Sequence, residues 1–454
     1  MKDVYLINYA VKGIKSIDQW AKLSFYNKTF RQDFSIKGFN IKGIYGANGA
    51  GKSGIITSMK ILKSIILDPQ YLNNPLVQKQ LDELINKSTR KLQYDVDFLV
   101  LFEDGLRLYH YSVALEKGLP HYYVITQEVL TKRKATAHSH NDTIVYSVDA
   151  GKLSFVDKNE KYSDMLREAS INLLSMASLS SIFMSKGLFP DADRSDLSST
   201  FIDLLLLFLF GHSIYVYLDT PDDHTEYAMN SLLLHGDDYN YSEALEQMSG
   251  LLEHKGNLNK MQPLLLTVTD MRIPKKSIKE LEKQVAMLKD FLCIFKKDLK
   301  NITIDRKEDN SSYICSLIMD YGEYTIYAEF ESTGIKKLIK LFTYLQKMVT
   351  GNIVFIDELD SNLHDVYLCA LLEYLMEYGE GQLCFTTHNI GPMDILRKNQ
   401  KSIDFLSVDR TVYQWTKNGN YSPSKLYKNG MIEGSPFNVD SIDFIGVFGD
   451  DGED

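Results

Sequence analysis

The apolar positions change period several times along the first 150 residues. Residues 40–45, Asn-Ile-Lys-Gly-Ile-Tyr, read as a short strand. A glycine-rich stretch follows. From Lys52 to about Leu67 the apolar residues then fall at helical spacing. Three segments near 94–102, 106–113 and 122–129 alternate apolar with polar, and Glu103-Asp104-Gly105 has the composition of a hairpin turn. Together they predict an antiparallel β subdomain beside the glycine-rich loop. Residues 131–160 are polar and are expected to form a loop region.

Helical spacing dominates from about 162 to 300. Its clearest run is Ile278, Leu281, Val285, Leu288, Leu292, Phe295 and Leu299, a heptad seam of about three heptads. That is too short for a long coiled-coil arm. It predicts a helical insertion, with residues 241–253 as the packing partner. The solvent side of this helix carries eight lysines (275, 276, 279, 283, 289, 296, 297 and 300) against four acids, a solvated face or a partner surface. The most apolar stretch, 204–210, is far short of the roughly 20 residues a bilayer span needs and is expected to be a buried helix.

After 310 the pattern becomes α/β. Strands are expected near 312–319, 324–330, 352–357 and 382–386, with helices at 333–349, 363–378 and 391–399. The acidic end, Asp450-Asp451-Gly452-Glu453-Asp454, reads as a solvated tail. The predicted organisation is an N-terminal half-head over 1–160, the helical insertion over 161–310, and a C-terminal half-head over 311–454.

Composition narrows the class. With 454 residues, 44% hydrophobic and 24% charged, the chain has material for an ordinary packed core. A net charge of −10 does not point to nucleic acid, so any such contact needs a local patch. The four cysteines are scattered without CxxC spacing, which suggests neither a zinc site nor a disulfide framework and fits the cytoplasm. The N-terminal residues are too charged for a signal peptide, and no membrane segment is expected.

Four segments carry chemistry. Gly46-Ala47-Asn48-Gly49-Ala50-Gly51-Lys52-Ser53 matches G-x-x-x-x-G-K-[ST] between a strand and a helix, the context that motif requires. Gly46, Asn48, Gly49, Gly51 and Gly54 would shape a backbone cradle for ATP phosphates. Lys52 would reach the β and γ phosphates, and Ser53 would hold Mg²⁺. Asp357 and Glu358 end the apolar run Ile353-Val354-Phe355-Ile356. There Asp357 would bind Mg²⁺ and Glu358 would polarise the attacking water. His388, after the apolar run ending Phe385-Thr386-Thr387, could meet the γ-phosphate. Ser332 and Gly334, in Glu331-Ser332-Thr333-Gly334, open a helix about 20 residues before the acidic strand; they form either a plain helix cap or an anion contact.

These segments together resemble ABC-type ATPases of the SMC-like and OLD-like branch. The strings Ile356-Asp357-Glu358-Leu359-Asp360-Ser361-Asn362-Leu363-His364 and Cys384-Phe385-Thr386-Thr387-His388-Asn389 are similar to those of abortive-infection AAA ATPases, the AriA type of PARIS modules and the RloA type. The resemblance implies an α/β ABC-type P-loop head, a mixed sheet with an antiparallel β subdomain, plus the helical insertion. It also implies a homodimer or higher homo-oligomer closing over ATP and Mg²⁺. Lys52 of one subunit would then face Ser332 and Gly334 of the other, with Glu358 as base and His388 as switch. The Q-loop glutamine has no clear position. OLD proteins carry a Toprim nuclease domain; the 66 residues after His388 are too few for one. The resemblance therefore implies a separate effector, of the Toprim-nuclease kind among others, and a phage protein as trigger. The alternative is an SMC-like ATPase of DNA repair or maintenance.

Overall fold

The computed structural model describes residues 3–27, 29–31, 33–102, 105–118, 122–136, 142–155, 160–185, 199–218, 264–416, 421–432 and 435. Among these residues the fold is mixed α/β and contains three sheets. The first has seven antiparallel strands in the order β2 (Ala21–Ser24), β1 (Asp3–Lys12), β4 (Lys91–Phe102), β5 (Gly105–Lys117), β6 (Tyr123–Lys134), β7 (Thr143–Asp149), β8 (Lys152–Phe155). The second runs β17 (Val412–Gln414), β16 (Ile403–Leu406), β3 (Ile41–Gly46), β15 (Gln382–Thr386), β14 (Ile353–Ile356), β9 (Ile214–Tyr217), all parallel except β17. The third is β10 (Met271–Pro274), β12 (Ser312–Asp320) and β11 (Asn301–Asp309), with β13 (Thr325–Tyr327) paired to β12.

The parallel sheet is covered on both faces, as an unbroken apolar strand requires. From β14, Ile353 and Phe355 enter one core with helix Lys52–Leu67 and the inner face of the antiparallel sheet. Val354 and Ile356 enter another with helices Thr333–Val349 and Asp365–Tyr378. Helix Lys52–Leu67 therefore lies between two sheets and is buried nearly all round. Its Ser58 is fixed from the antiparallel side: the Tyr9 hydroxyl is 2.6 Å from Ser58 Oγ, and Tyr94 donates to the Ser58 carbonyl at 2.9 Å.

One side chain ties the two large sheets together. Pairing of β1 with β4 slips between Leu6 and Asn8, while β2 pairs with β1 only from Asn8 onward. Gln382 of β15 takes the place of a neighbouring strand for Leu6. It accepts from the Leu6 N–H at 2.7 Å and donates to the Leu6 carbonyl at 2.8 Å, so neither buried backbone group is left unpartnered.

Several expectations are corrected. Residues 131–160 are not a loop region: β6 runs on to Lys134, and β7 and β8 extend the sheet. The polar residues there are the solvent side of an antiparallel ladder. The stretch expected to be a helical insertion also holds strands. β9 is an edge of the parallel sheet, and β10 and β11 belong to the third sheet. Helix Ser199–Ser213 carries the apolar stretch 204–210 and is buried in the central core. The heptad helix, Ile278–Phe295, lays Leu281, Val285, Leu288 and Leu292 on the third sheet and on helix Thr333–Val349. Residues 241–253, 103–104 and the acidic tail lie outside the described residues. All four cysteines are free, and no helix among the described residues is long and apolar enough to cross a membrane.

Glu128 of β6 is fully buried beneath helix Leu179–Ser185. Its Oε1 accepts from Tyr111 (3.0 Å) and Tyr146 (2.8 Å), and its Oε2 from the Leu179 N–H (3.2 Å). Burial pushes its carboxyl up to about 7 against the pull of those three donors. A carboxyl raised in the folded state stabilises the fold below its ordinary value near 4.5, and that contribution disappears as pH rises through about 7. Glu128→Gln removes the titration. Relative to wild type, the variant should therefore gain stability between pH 5 and pH 8, by on the order of 3 kcal/mol. Denaturant melts at both pH values measure this; a difference that stays constant with pH contradicts the assignment.

Candidate functional site

The parallel sheet brings the predicted residues to one edge. β3, β14 and β15 run parallel, so Gly46, Asp357 and His388 all follow the carboxyl ends of adjacent strands. A crevice at that edge is the usual ligand position in such a sheet.

The loop after β3 depends on two glycines for different reasons. At Gly46, φ is +155° and an added Cβ would lie 2.3 Å from the Leu406 carbonyl of β16, so the strand pairing itself excludes a side chain. At Gly49, φ is +76° with open space around it, so the constraint there is conformational. Gly51 caps helix Lys52–Leu67 without a side chain. Among the described residues, the N–H groups of Gly49, Gly51, Lys52 and Ser53 have no hydrogen-bond acceptor. Four such donors at a helix start make an anion cradle. Asn48 and Gly49 are exposed at its tip, and Gly54 is buried in the first turn.

Lys52 lies inside this turn. Its Nζ donates to the carbonyls of Gly46 (2.8 Å) and Ala47 (3.1 Å). Burial lowers its pKa, while Asp357, Glu358 and Asp360 pull it upward, so the ammonium and the acidic strand end share one electrostatic neighbourhood. Ser53 and Asp357 offer a hydroxyl and a carboxylate, hard oxygen donors that fit Mg²⁺. No cluster of three or more His, Cys, Asp or Glu suited to a metal occurs among the described residues.

The acidic end is fixed by a residue that the motif reading passed over. Thr386 Oγ1 donates to Asp357 Oδ1 at 2.6 Å and accepts from the Glu358 N–H at 2.8 Å. The Asp357 N–H is held by the Tyr217 carbonyl of β9 at 2.9 Å. Glu358 adopts φ +49°, a left-handed conformation that costs a non-glycine residue about 1 kcal/mol. Its side chain is half-buried beside Lys52's neighbourhood. Thr386 stood in the Phe385-Thr386-Thr387-His388 string, but its role depends on β14 and β15 being neighbours, which the string does not reveal. His388 is exposed beyond the end of β15.

Ser332 caps helix Thr333–Val349, its Oγ accepting from the Ile335 N–H at 3.4 Å. Ser332 is exposed, and among the described residues no hydrogen bond joins Ser332 or Gly334 to the loop 46–53 of the same chain. Gly334 lies instead against Asn362 in the loop after Glu358; an added Cβ would stand 3.6 Å from the Asn362 Cβ and carbonyl oxygen. Lys337 of this helix, also passed over in the sequence, donates to the Glu358 carbonyl at 2.6 Å and to Ser361 Oγ. No glutamine among the described residues bonds to the loop or to the acidic strand end.

No protein-family model matches this chain, and no curated protein does. Among solved structures, the chain is similar to the recombination mediator protein RecF with ATPrS, of the RecFOR pathway. The identity is 12% and the TM-score 0.35, over 91% of this chain and 99% of that one.

Thr386→Val keeps the side-chain volume and removes both hydrogen bonds, leaving the half-buried Glu358 N–H and one carboxylate oxygen of Asp357 without that partner. The expected cost is about 1–3 kcal/mol, read in a denaturant melt. A loss below about 0.5 kcal/mol would mean that the turn is held without Thr386.

Proposed function

We propose that this chain is an ABC-type ATPase acting as a sensor or switch, a homodimer or higher homo-oligomer that closes over ATP. The observation that carries this is the convergence of Lys52, Asp357 and Glu358 at the carboxyl edge of one parallel sheet, under a glycine loop with four unpartnered N–H donors.

The backbone cradle binds the phosphates, and Lys52 balances charge on the β and γ groups. Ser53 and Asp357 are the residues that would hold Mg²⁺, which when bound neutralises charge between the β and γ phosphates. Glu358, set at the turn after β14, orients a water for attack and takes its proton. His388, exposed at the same edge, would meet the terminal phosphate. Ser332 and Gly334 sit at an exposed helix start away from their own loop, an arrangement that suits contact with nucleotide held by a second subunit.

The motif resemblance supports the biological role: an anti-phage defence module whose separately encoded effector, of the Toprim-nuclease kind among others, is held or released by nucleotide-driven closure, with a phage protein as trigger. A second reading, an SMC-like ATPase of DNA repair or maintenance, is favoured by one observation. Lys279, Lys283 and Lys297 are exposed and have no ion pair among the described residues. That reading requires DNA binding that weakens steeply with salt.

Glu358→Gln is expected to bind ATP, to lose at least tenfold in phosphate release, and to accumulate a dimer or larger assembly with ATP and Mg²⁺. Light scattering on wild type and variant, alongside phosphate release, provides the measurement. A variant that remains monomeric with bound ATP removes the closing-dimer reading. Wild type without turnover removes the enzyme reading.

A further inference from the structure

Lys337 is buried on the second turn of helix Thr333–Val349, and its ammonium reaches across to the loop that follows β14. It donates to the Glu358 carbonyl at 2.6 Å and to the Ser361 hydroxyl. The Glu358 carbonyl already accepts from the Ser361 N–H at 3.1 Å. That carbonyl would therefore not be orphaned without Lys337. Burying an ammonium is costly, and a leucine would fill much of the same space without that cost.

The loop that Lys337 grips has reason to need a tether. Glu358 (φ +49°) and Asn362 (φ +64°) are both left-handed non-glycine residues, so two positions within five stand in a sparsely populated conformation. Such a turn persists only when its surroundings fix it. Thr386 holds the Glu358 N–H from β15, and Lys337 holds the Glu358 carbonyl from the helix. The same helix begins at Ser332 and touches Asn362 through Gly334. One rigid helix thus contacts the loop at both of its left-handed residues, and its exposed N-cap, Ser332, stands five positions before Lys337.

We infer that Lys337 is a positioning residue: it sets the Glu358 turn and couples the helix start at Ser332 to it. The inference rests on the ATPase reading above. In that frame, contact of a second subunit's nucleotide with Ser332 moves the helix start, and Lys337 carries the movement to the backbone of the general base. Nucleotide binding at the loop 46–53 of the same chain does not involve Lys337.

The test is steady-state turnover, with ATP affinity from a fluorescent analogue, for wild type, Lys337→Met and Lys337→Arg in the full chain. Lys337→Met is expected to lower kcat at least 30-fold with KM and analogue affinity within threefold, and Lys337→Arg to recover to within about fivefold of wild type. A kcat for Lys337→Met within twofold of wild type overturns the inference. So does a parallel fall in kcat, affinity and melting temperature that arginine does not rescue, because that marks a packing role only. If Lys337→Met does not fold, Ser361→Ala is decisive: it removes one acceptor of the ammonium and must lower kcat threefold or more at unchanged KM, and a wild-type kcat there overturns the inference. Wild type without turnover defeats the ATPase reading and the inference with it. Wild-type turnover together with an indifferent Lys337→Met defeats the inference alone.

Discussion

Strand β14 must be covered on both faces, and most of the architecture around the site follows from that requirement. Its four residues are all fully apolar and buried, so water has access to neither side. One side is closed by helix Lys52–Leu67, which is closed in turn by the antiparallel sheet. The other is closed by helices Thr333–Val349 and Asp365–Tyr378. With both faces blocked, the carboxyl edge is where a ligand can approach the strand, and Asp357 and Glu358 are the first residues past it. The helix that buries one face starts with Lys52, and a helix that buries the other is capped by Ser332. The cover that β14 demands thus delivers the loop and the cap to opposite sides of the same acidic turn.

Legibility in the sequence followed how local the cause was. Helix Lys52–Leu67 was read with its true limits because a glycine loop and a helical period fix both ends within the segment. The helix Thr333–Val349 and strand β15 were read equally well for the same reason. β1 and β2 were missed. β1 places Tyr5, Tyr9 and Ala10 in or near the core, while its Gln382 contact lies 376 residues away. β7 and β8 read as loop because Thr143, Ser147 and Lys152 are polar and because a register shift at Val145 breaks the alternation, so that Val145, Tyr146 and Val148 are all buried. The heptad seam shows a deeper ambiguity. A 3–4 spacing specifies a stripe on a helix, not what the stripe meets, and here it meets a sheet.

The site divides along the same line. Lys52, Ser53, Asp357 and Glu358 belong to local strings whose chemistry can be named before the fold is known. Thr386 and Lys337 have no such string. Each matters only because a strand or helix distant in sequence lies beside the Glu358 turn, 28 and 21 residues away respectively. The strain at Glu358 is equally invisible beforehand, since nothing in Asp-Glu-Leu-Asp requires a left-handed residue. The general rule is that first contacts with a ligand are written in motifs, while the groups that orient them are written in topology.

That division bears on how a switch could be built here. A turn held at its N–H by a sheet and at its carbonyl by a helix can change only if those two elements move relative to each other. The sheet side is anchored: Asp357 is bonded to β9 through its N–H and to β15 through its carboxylate, and β15 is bonded to β1 through Gln382. The helix side has an exposed beginning: Leu338, Ile339 and Phe342 pack with the heptad helix and the third sheet, while Leu341, Leu345 and Met348 pack on the parallel sheet. Any force arriving at Ser332 therefore enters the helix at its exposed end, while its far half is held against the parallel sheet. A ligand biases such a system only by the difference in its affinity for the two arrangements. The economical place to create that difference is the exposed helix start, because a contact made there exists in one arrangement of two subunits and not in the other.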